Sequence, residues 1–126
     1  MKRIILLFAL LSSLKGVAQK PDAITGKWMV IPKQNLIINV YKTGNTYSGK
    51  VSWVKDKQKA KIGFIILEKL AFDESSHNWD HGKIHNPTGG GTYSAVAKIK
   101  DDGMLEVHAY KGFKFLGTDK LFKRVK

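Results

Sequence analysis

The feature that most constrains this chain is a period of two. From residue 25 to residue 125, apolar and polar side chains alternate in runs of about six to nine residues, and Gly, Asn, Asp and Pro separate the runs. Read this way, the chain carries eight β-strands, at 26–31, 36–42, 46–54, 64–72, 79–85, 92–100, 104–110 and 116–125. The separators Thr43-Gly44-Asn45, Asn86 to Gly91 and Asp101-Asp102-Gly103 suit tight turns because these residues start turns or tolerate positive φ. Short turns between successive strands require antiparallel pairing. No stretch long enough for a crossover helix remains, so doubly wound and helical folds are excluded; residues 73–78 have room for a single helical turn.

Alternation gives each strand one dry face. Tyr47, Gly49, Val51 and Trp53 are expected to point inward on the third strand, Tyr93, Ala95, Ala97 and Ile99 on the sixth, and Leu105, Val107 and Ala109 on the seventh. Eight strands in one small domain satisfy their edges best by closing on themselves. The expected fold is therefore all-β, a single antiparallel eight-stranded barrel. Inward Gly49, Ala95, Ala97 and Ala109 either leave room for one small ligand or face bulky rings across a filled core.

The first nineteen residues do not share the pattern. Met1-Lys2-Arg3 is basic, residues 4–14 are mostly apolar but too few to span a bilayer, and Gly16-Val17-Ala18 is a small-residue exit. This is the form of a cleavable secretory signal at 1–19, leaving a domain at 20–126 that is not transmembrane after cleavage. The signal removes Lys2, Arg3 and Lys15 from 22 Lys+Arg and none of the 10 acids, so the domain keeps +9 of the chain's +12. The chain has no cysteine, which excludes disulfides, thiolate metal sites and thiol nucleophiles and suits an oxidising compartment. The expected location is the periplasm or the medium.

Two features narrow the barrel class: Gly26-Lys27-Trp28 opens the first strand and Arg124 lies in the last. This start and end resemble those of lipocalin-type (calycin) barrels, in which the ring closes the floor and the guanidinium packs on its face. A fuller resemblance is to the domain of unknown function 2147 family of small exported bacterial proteins. It is carried by Gly26-Lys27-Trp28, Tyr47-Ser48-Gly49-Lys50-Val51, Gly63-Phe64-Ile65-Ile66-Leu67, the run from Trp79 to Tyr93 that includes Gly82, Lys83, Asn86 and Pro87, and the run from Leu105 to Gly112. The chain departs from that pattern in its Lys-rich segment at 55–61, where relatives tend to be acidic, in Asn86 for the more usual Asp, and in Phe122 where Trp is common. The resemblance implies a lipocalin-like barrel and an envelope location, with no agreed activity.

The residues that could carry chemistry are few. His77, His81 and His85 share strand parity, but residues four apart on a strand lie about 13 Å apart, so one ion cannot take all three from a straight strand. His81 and His85 are the candidates for a metal site if the strand bends; none is assigned, and no cofactor is expected. Gly89-Gly90-Gly91 precedes a strand and lacks a following Lys-Ser/Thr, which argues for a hairpin over a phosphate loop. The acids lie mostly in turns and no Gly-x-Ser-x-Gly elbow is present, so an enzyme is not expected; a metal-dependent one is the minor alternative.

The basic surface is almost wholly lysine, with Lys55, Lys57, Lys59 and Lys61 alternating through one segment and Arg124 the one arginine of the domain. Nucleic-acid readers use arginine forks and stacking aromatics, so nucleic acid is an unlikely partner and diffuse polyanions fit better. Taken together, the sequence describes a non-enzymatic exported protein that binds a small apolar or amphipathic molecule. Its expected lining is Tyr47, Val51, Trp53, Tyr93, Ala95, Ala97, Val107 and Ala109, with lysines at the rim for an anionic head group. The alternative is a filled barrel whose lysine surface binds anionic envelope lipids or glycans.

Overall fold

The computed structural model describes residues 20–113 and 117–126. The expected signal at 1–19 and the expected start of the last strand at Leu116 lie outside the described residues. A 3-10 turn at Pro21–Ile24 leads into eight strands: β1 (Gly26–Ile31), β2 (Leu36–Thr43), β3 (Thr46–Val54), β4 (Ile65–Asp73), β5 (Asn78–His85), β6 (Thr92–Ile99), β7 (Leu105–Tyr110) and β8 (Thr118–Val125). They form a closed barrel in sequence order, each strand antiparallel to the next, with β8 returning to β1. The strand limits differ from those expected by at most two residues, and residues 74–77 form the turn between β4 and β5 without the helical turn for which the spacing left room. In that turn the Asp73 carboxylate accepts hydrogen bonds from the Ser75 hydroxyl and N–H and from the Ser76 hydroxyl, which hold its pKa below the ordinary carboxylate value.

An up-and-down barrel has two ends. The β2–β3, β4–β5 and β6–β7 turns lie at the same end as the N-terminal 3-10 turn, which we call the floor. The β1–β2, β3–β4, β5–β6 and β7–β8 connections lie at the other, the mouth. Trp28, Ile38, Val40, Tyr47, Val51, Leu67, Leu70, Trp79, Ala95, Ala97, Leu105 and Val107 are buried in one cluster with Ile24.

Alternation fails at the bulges. The β2–β3 register pairs Ile37 with Trp53 but Ile38 with Val51, so Ser52 is an extra residue on β3. Every side chain beyond it changes face. Trp53, expected inside, is 42% exposed on the outer surface, and Val54 points inward in its place. Two further bulges place Lys69 and His81 in the left-handed region, at φ 61° and 62°, where β4 and β5 shift register against their neighbours. Ser48, which strict alternation puts outside, is nevertheless buried. Such kinks let a short sheet curl tightly enough to close.

Candidate functional site

The floor is closed by rings and carbonyls. The 3-10 turn crosses the barrel end and leaves its backbone oxygens facing inward, and three side chains bind them. Trp28 Nε1 donates to the Ile24 carbonyl at 2.9 Å, and Trp79 Nε1 to that of Pro21 at 2.9 Å. Arg124 donates from Nη1 to Thr25 at 2.9 Å and from Nη2 to Ala23 at 2.7 Å, with its guanidinium carbon 4.1 Å from the Trp28 ring centre. The guanidinium thus uses its edge for hydrogen bonds and one face for cation–π attraction. Gly26 makes this possible: its φ is +119°, and a Cβ there would sit 2.9 Å from Arg124 Nη1. The expected signature of Gly26, Trp28 and Arg124 is one physical unit.

Tyr47 and Asp22 add a second tie. The buried Tyr47 hydroxyl donates to the Asp22 carboxylate; burial first, then that hydrogen bond and the carboxylate's charge, push the phenol up to about 12. Phe72 packs edge-on against Trp79 at 5.2 Å between centres. Small inward residues sit beside these rings: Ala97 pairs with Trp79, and Ala95 with Gly82, over which Leu70 folds so closely that a Cβ would fall 2.5 Å from its Cδ2. Ala95 and Ala97 therefore accommodate rings and do not open a cavity at the floor.

The mouth is different. A cavity of about 950 Å³ opens there, walled by Val30, Leu36, Val54, Ile66, Ile84, Tyr93, Ala109 and Phe122 and rimmed by Lys33, Lys55, Lys57, Lys59 and Lys120, with Asp56 among them. Its size lies within the range of pockets that take one small organic molecule, about 300–1,000 Å³. Asn86, Pro87 and Thr88 form one lip, held by the Asn86 carboxamide oxygen, which accepts from the Thr88 N–H at 2.9 Å and hydroxyl at 2.7 Å. Lys111 Nζ lies 4.7 Å from the centre of the Tyr93 ring.

Of the eight residues expected to line a ligand, Tyr93 and Ala109 border this cavity. Tyr47, Val51, Ala95, Ala97 and Val107 are buried in the packed half below it, and Trp53 lies on the outside because of the bulge at Ser52. The walls that sequence reading missed are Val30, Leu36, Ile66 and Ile84 at strand ends, Phe122 within β8, and Val54, which alternation without the bulge turns outward. A usable signal existed for Val30, Leu36, Ile66 and Ile84: each is a large aliphatic residue beside a connection at one end of the barrel.

The histidines do not converge. His81 is exposed at its bulge, where its N–H donates to the Asp80 carboxylate at 2.7 Å. His85 sits at the mouth with Nδ1 2.8 Å from Thr92 Oγ1 and Nε2 3.3 Å from Glu68 Oε2. His77 is in the β4–β5 turn, and His108 pairs with Asp119 at 2.6 Å. Among the described residues no three His, Cys, Asp or Glu side chains are grouped to hold a metal ion. Of the remaining motif positions, Gly82 is buried under Leu70 and Lys83 is exposed, opposite Glu68 and Ser94 on the flanking strands.

Known proteins place this architecture. The chain is similar in fold to a solved structure described as protein HP1028 from the human pathogen Helicobacter pylori, belonging to the lipocalin family, with a TM-score of 0.67 and 15% identity over 82% of this chain and 83% of that one. At that identity the likeness speaks for the fold. No curated protein matches the chain. A family model described as an uncharacterized protein conserved in bacteria, DUF2147, matches residues 26–124, from the glycine under the Arg124 fork to Arg124 itself. The stretch that makes and closes the barrel is thus the stretch the family defines, and the chain belongs to the DUF2147 family of lipocalin-like barrels.

Proposed function

We propose that this protein is a non-enzymatic carrier that holds one small amphipathic anion, with its apolar part in the mouth cavity and its head group among the rim lysines. The observation that carries this reading is the cavity itself: apolar walls at the strand ends, and five lysines against one acid at the rim. Burial supplies affinity at about 25 cal/mol per Å² of apolar surface. The lysines select the sign of the head group, as mobile point charges that do not require a planar partner. The Tyr93 ring stands against the ligand body, under Lys111.

Export belongs to the same proposal, supported by the basic start, apolar run and small-residue exit of residues 1–19 and by the absence of cysteine. Cell fractionation with N-terminal sequencing of the accumulated protein tests it; an intact Met1 in the cytoplasm would refute export.

The binding test compares a long-chain fatty acid with the neutral alcohol of the same chain length, by calorimetry or displacement of a fluorescent fatty acid. The expected result is saturable one-to-one binding, tighter for the acid, and weakened by salt and by Val54→Phe, which fills the cavity. Absence of saturable binding by either compound would refute the reading.

A further inference from the structure

The outer surface around the mouth carries a feature that ligand holding does not use. Four large apolar side chains are exposed there: Phe113 at 63% in the β7–β8 connection, and Trp53 at 42%, Ile62 at 61% and Ile65 at 42%. The last three belong to one region. Trp53 is the next-to-last residue of β3, Ile65 begins β4, Lys50 pairs with Ile65, and the Gly63 N–H donates to the Val51 carbonyl, which brings Ile62 to the same end of the ladder. Ile37 lies beside Trp53 on β2. The bulge at Ser52 is what turns the indole outward.

Charge is divided along the same axis. The mouth connections hold Lys33, Lys55, Lys57, Lys59, Lys61 and Lys111 against Asp56, whereas Asp22, Asp73, Glu74, Asp101 and Asp102 lie at the floor with Lys20, Lys42, Lys100 and Lys126. The barrel is thus a dipole with its positive end at the cavity opening, a distribution that turns this end toward an anionic surface before contact. Exposed indole and isoleucine among flexible lysines fit the boundary of a bilayer: the ring takes the headgroup level, the isoleucines reach the acyl region, and the ammonium groups stay with the phosphates.

We propose that the protein docks mouth-first on anionic lipid bilayers, with Trp53, Ile62 and Ile65 as the inserted group and the lysines at 55–61 as the electrostatic contact. The inserted apolar group lies outside the barrel wall, whereas Lys55, Lys57 and Lys59 are shared with the cavity rim. In the docked pose the cavity opens directly onto the headgroup layer.

The test uses the chain in the form its host accumulates, with vesicles of phosphatidylcholine alone or mixed with phosphatidylglycerol. Residues 1–19 contain no tryptophan and Trp28 and Trp79 are fully buried, so a change in tryptophan emission reports on Trp53. The expected result is a blue shift, with quenching by brominated lipid, on the anionic vesicles only. Each lysine near an anionic surface raises partitioning about fivefold, so Lys57→Glu with Lys59→Glu lowers it more than tenfold. Lys20→Glu with Lys126→Glu makes the same change of net charge at the floor and leaves partitioning within about twofold. Ile62→Ser with Ile65→Ser abolishes lipid quenching while fatty-acid binding in vesicle-free solution stays unchanged. Equal loss from both charge pairs, unshifted Trp53 emission on anionic vesicles, or binding to dextran sulfate without binding to vesicles would each overturn the proposal.

Discussion

The two ends of this barrel are built from the same strands and behave as opposites. At the floor, aromatic rings stop the barrel and every inward polar group described has a partner in the 3-10 turn: two indoles, a phenol and a guanidinium converge on it. At the mouth, apolar walls leave a cavity of about 950 Å³, and five lysines stand at its rim beside Asp56, His85, Asn86 and Thr88. One small domain thus divides its stability from its binding. Burial and buried hydrogen bonds concentrate where nothing enters, so the open end tolerates unfilled volume.

If that division is right, substitutions at the two ends should separate on a stability scale. The largest effect is expected for Trp28→Ala, which removes a fully buried ring together with the platform under Arg124; a loss of about 3–5 kcal/mol follows from such truncations. Thermal melting would show it as a fall of about 15 °C or more. Gly82→Val comes next, at about 1–3 kcal/mol, because Leu70 occupies the space a side chain needs and cannot leave without opening the core.

Tyr47→Phe should cost about 1–2 kcal/mol at neutral pH, and it carries a pH signature. The folded phenol titrates near 12, above its ordinary value of 10.0, so the protonated form is favoured by folding. That contribution is complete below pH 10 and is lost as pH rises through 12. Denaturant melts of both proteins between pH 9 and pH 12 should therefore converge at the alkaline end; parallel curves would show that the Asp22 tie does not govern the phenol. Val54→Phe, at the mouth, should change stability by less than about 1 kcal/mol while weakening fatty-acid binding at least tenfold. Trp53→Ser, outside the wall, should stay within about 0.5 kcal/mol. A mouth substitution as costly as Trp28→Ala would end the comparison.

Period-two alternation was enough for the strand count, the antiparallel order and closure, because every strand keeps one dry face and short turns leave no other pairing. The floor was legible through Gly26, Trp28 and Arg124. What alternation cannot carry is a bulge. Ser52 looks like any outward residue of its run, yet as the extra residue it turns Trp53 out and Val54 in, and with them exchanges a wall residue for a surface one. Lys69 and His81 adopt positive φ without the glycine that would announce it. The size of inward residues misled for a different reason: Ala95 and Ala97 are small because Trp79, Tyr47 and Leu70 are large, and space is a property of the sum across the barrel, which no single strand displays. The 3-10 turn at Pro21–Ile24 escaped notice because four residues are too few to show a period.

The Arg124 fork joins the last strand to Ala23 and Thr25, across 101 and 99 residues of chain. Until that strand arrives, β1 and β7 have no partner on one side, and seven strands form an open sheet with two bare edges, each a template for pairing with another chain. Contacts this distant in sequence form slowly. Closure is therefore the last event the topology permits, and β8 decides whether the rest becomes a solitary barrel or the seed of an aggregate.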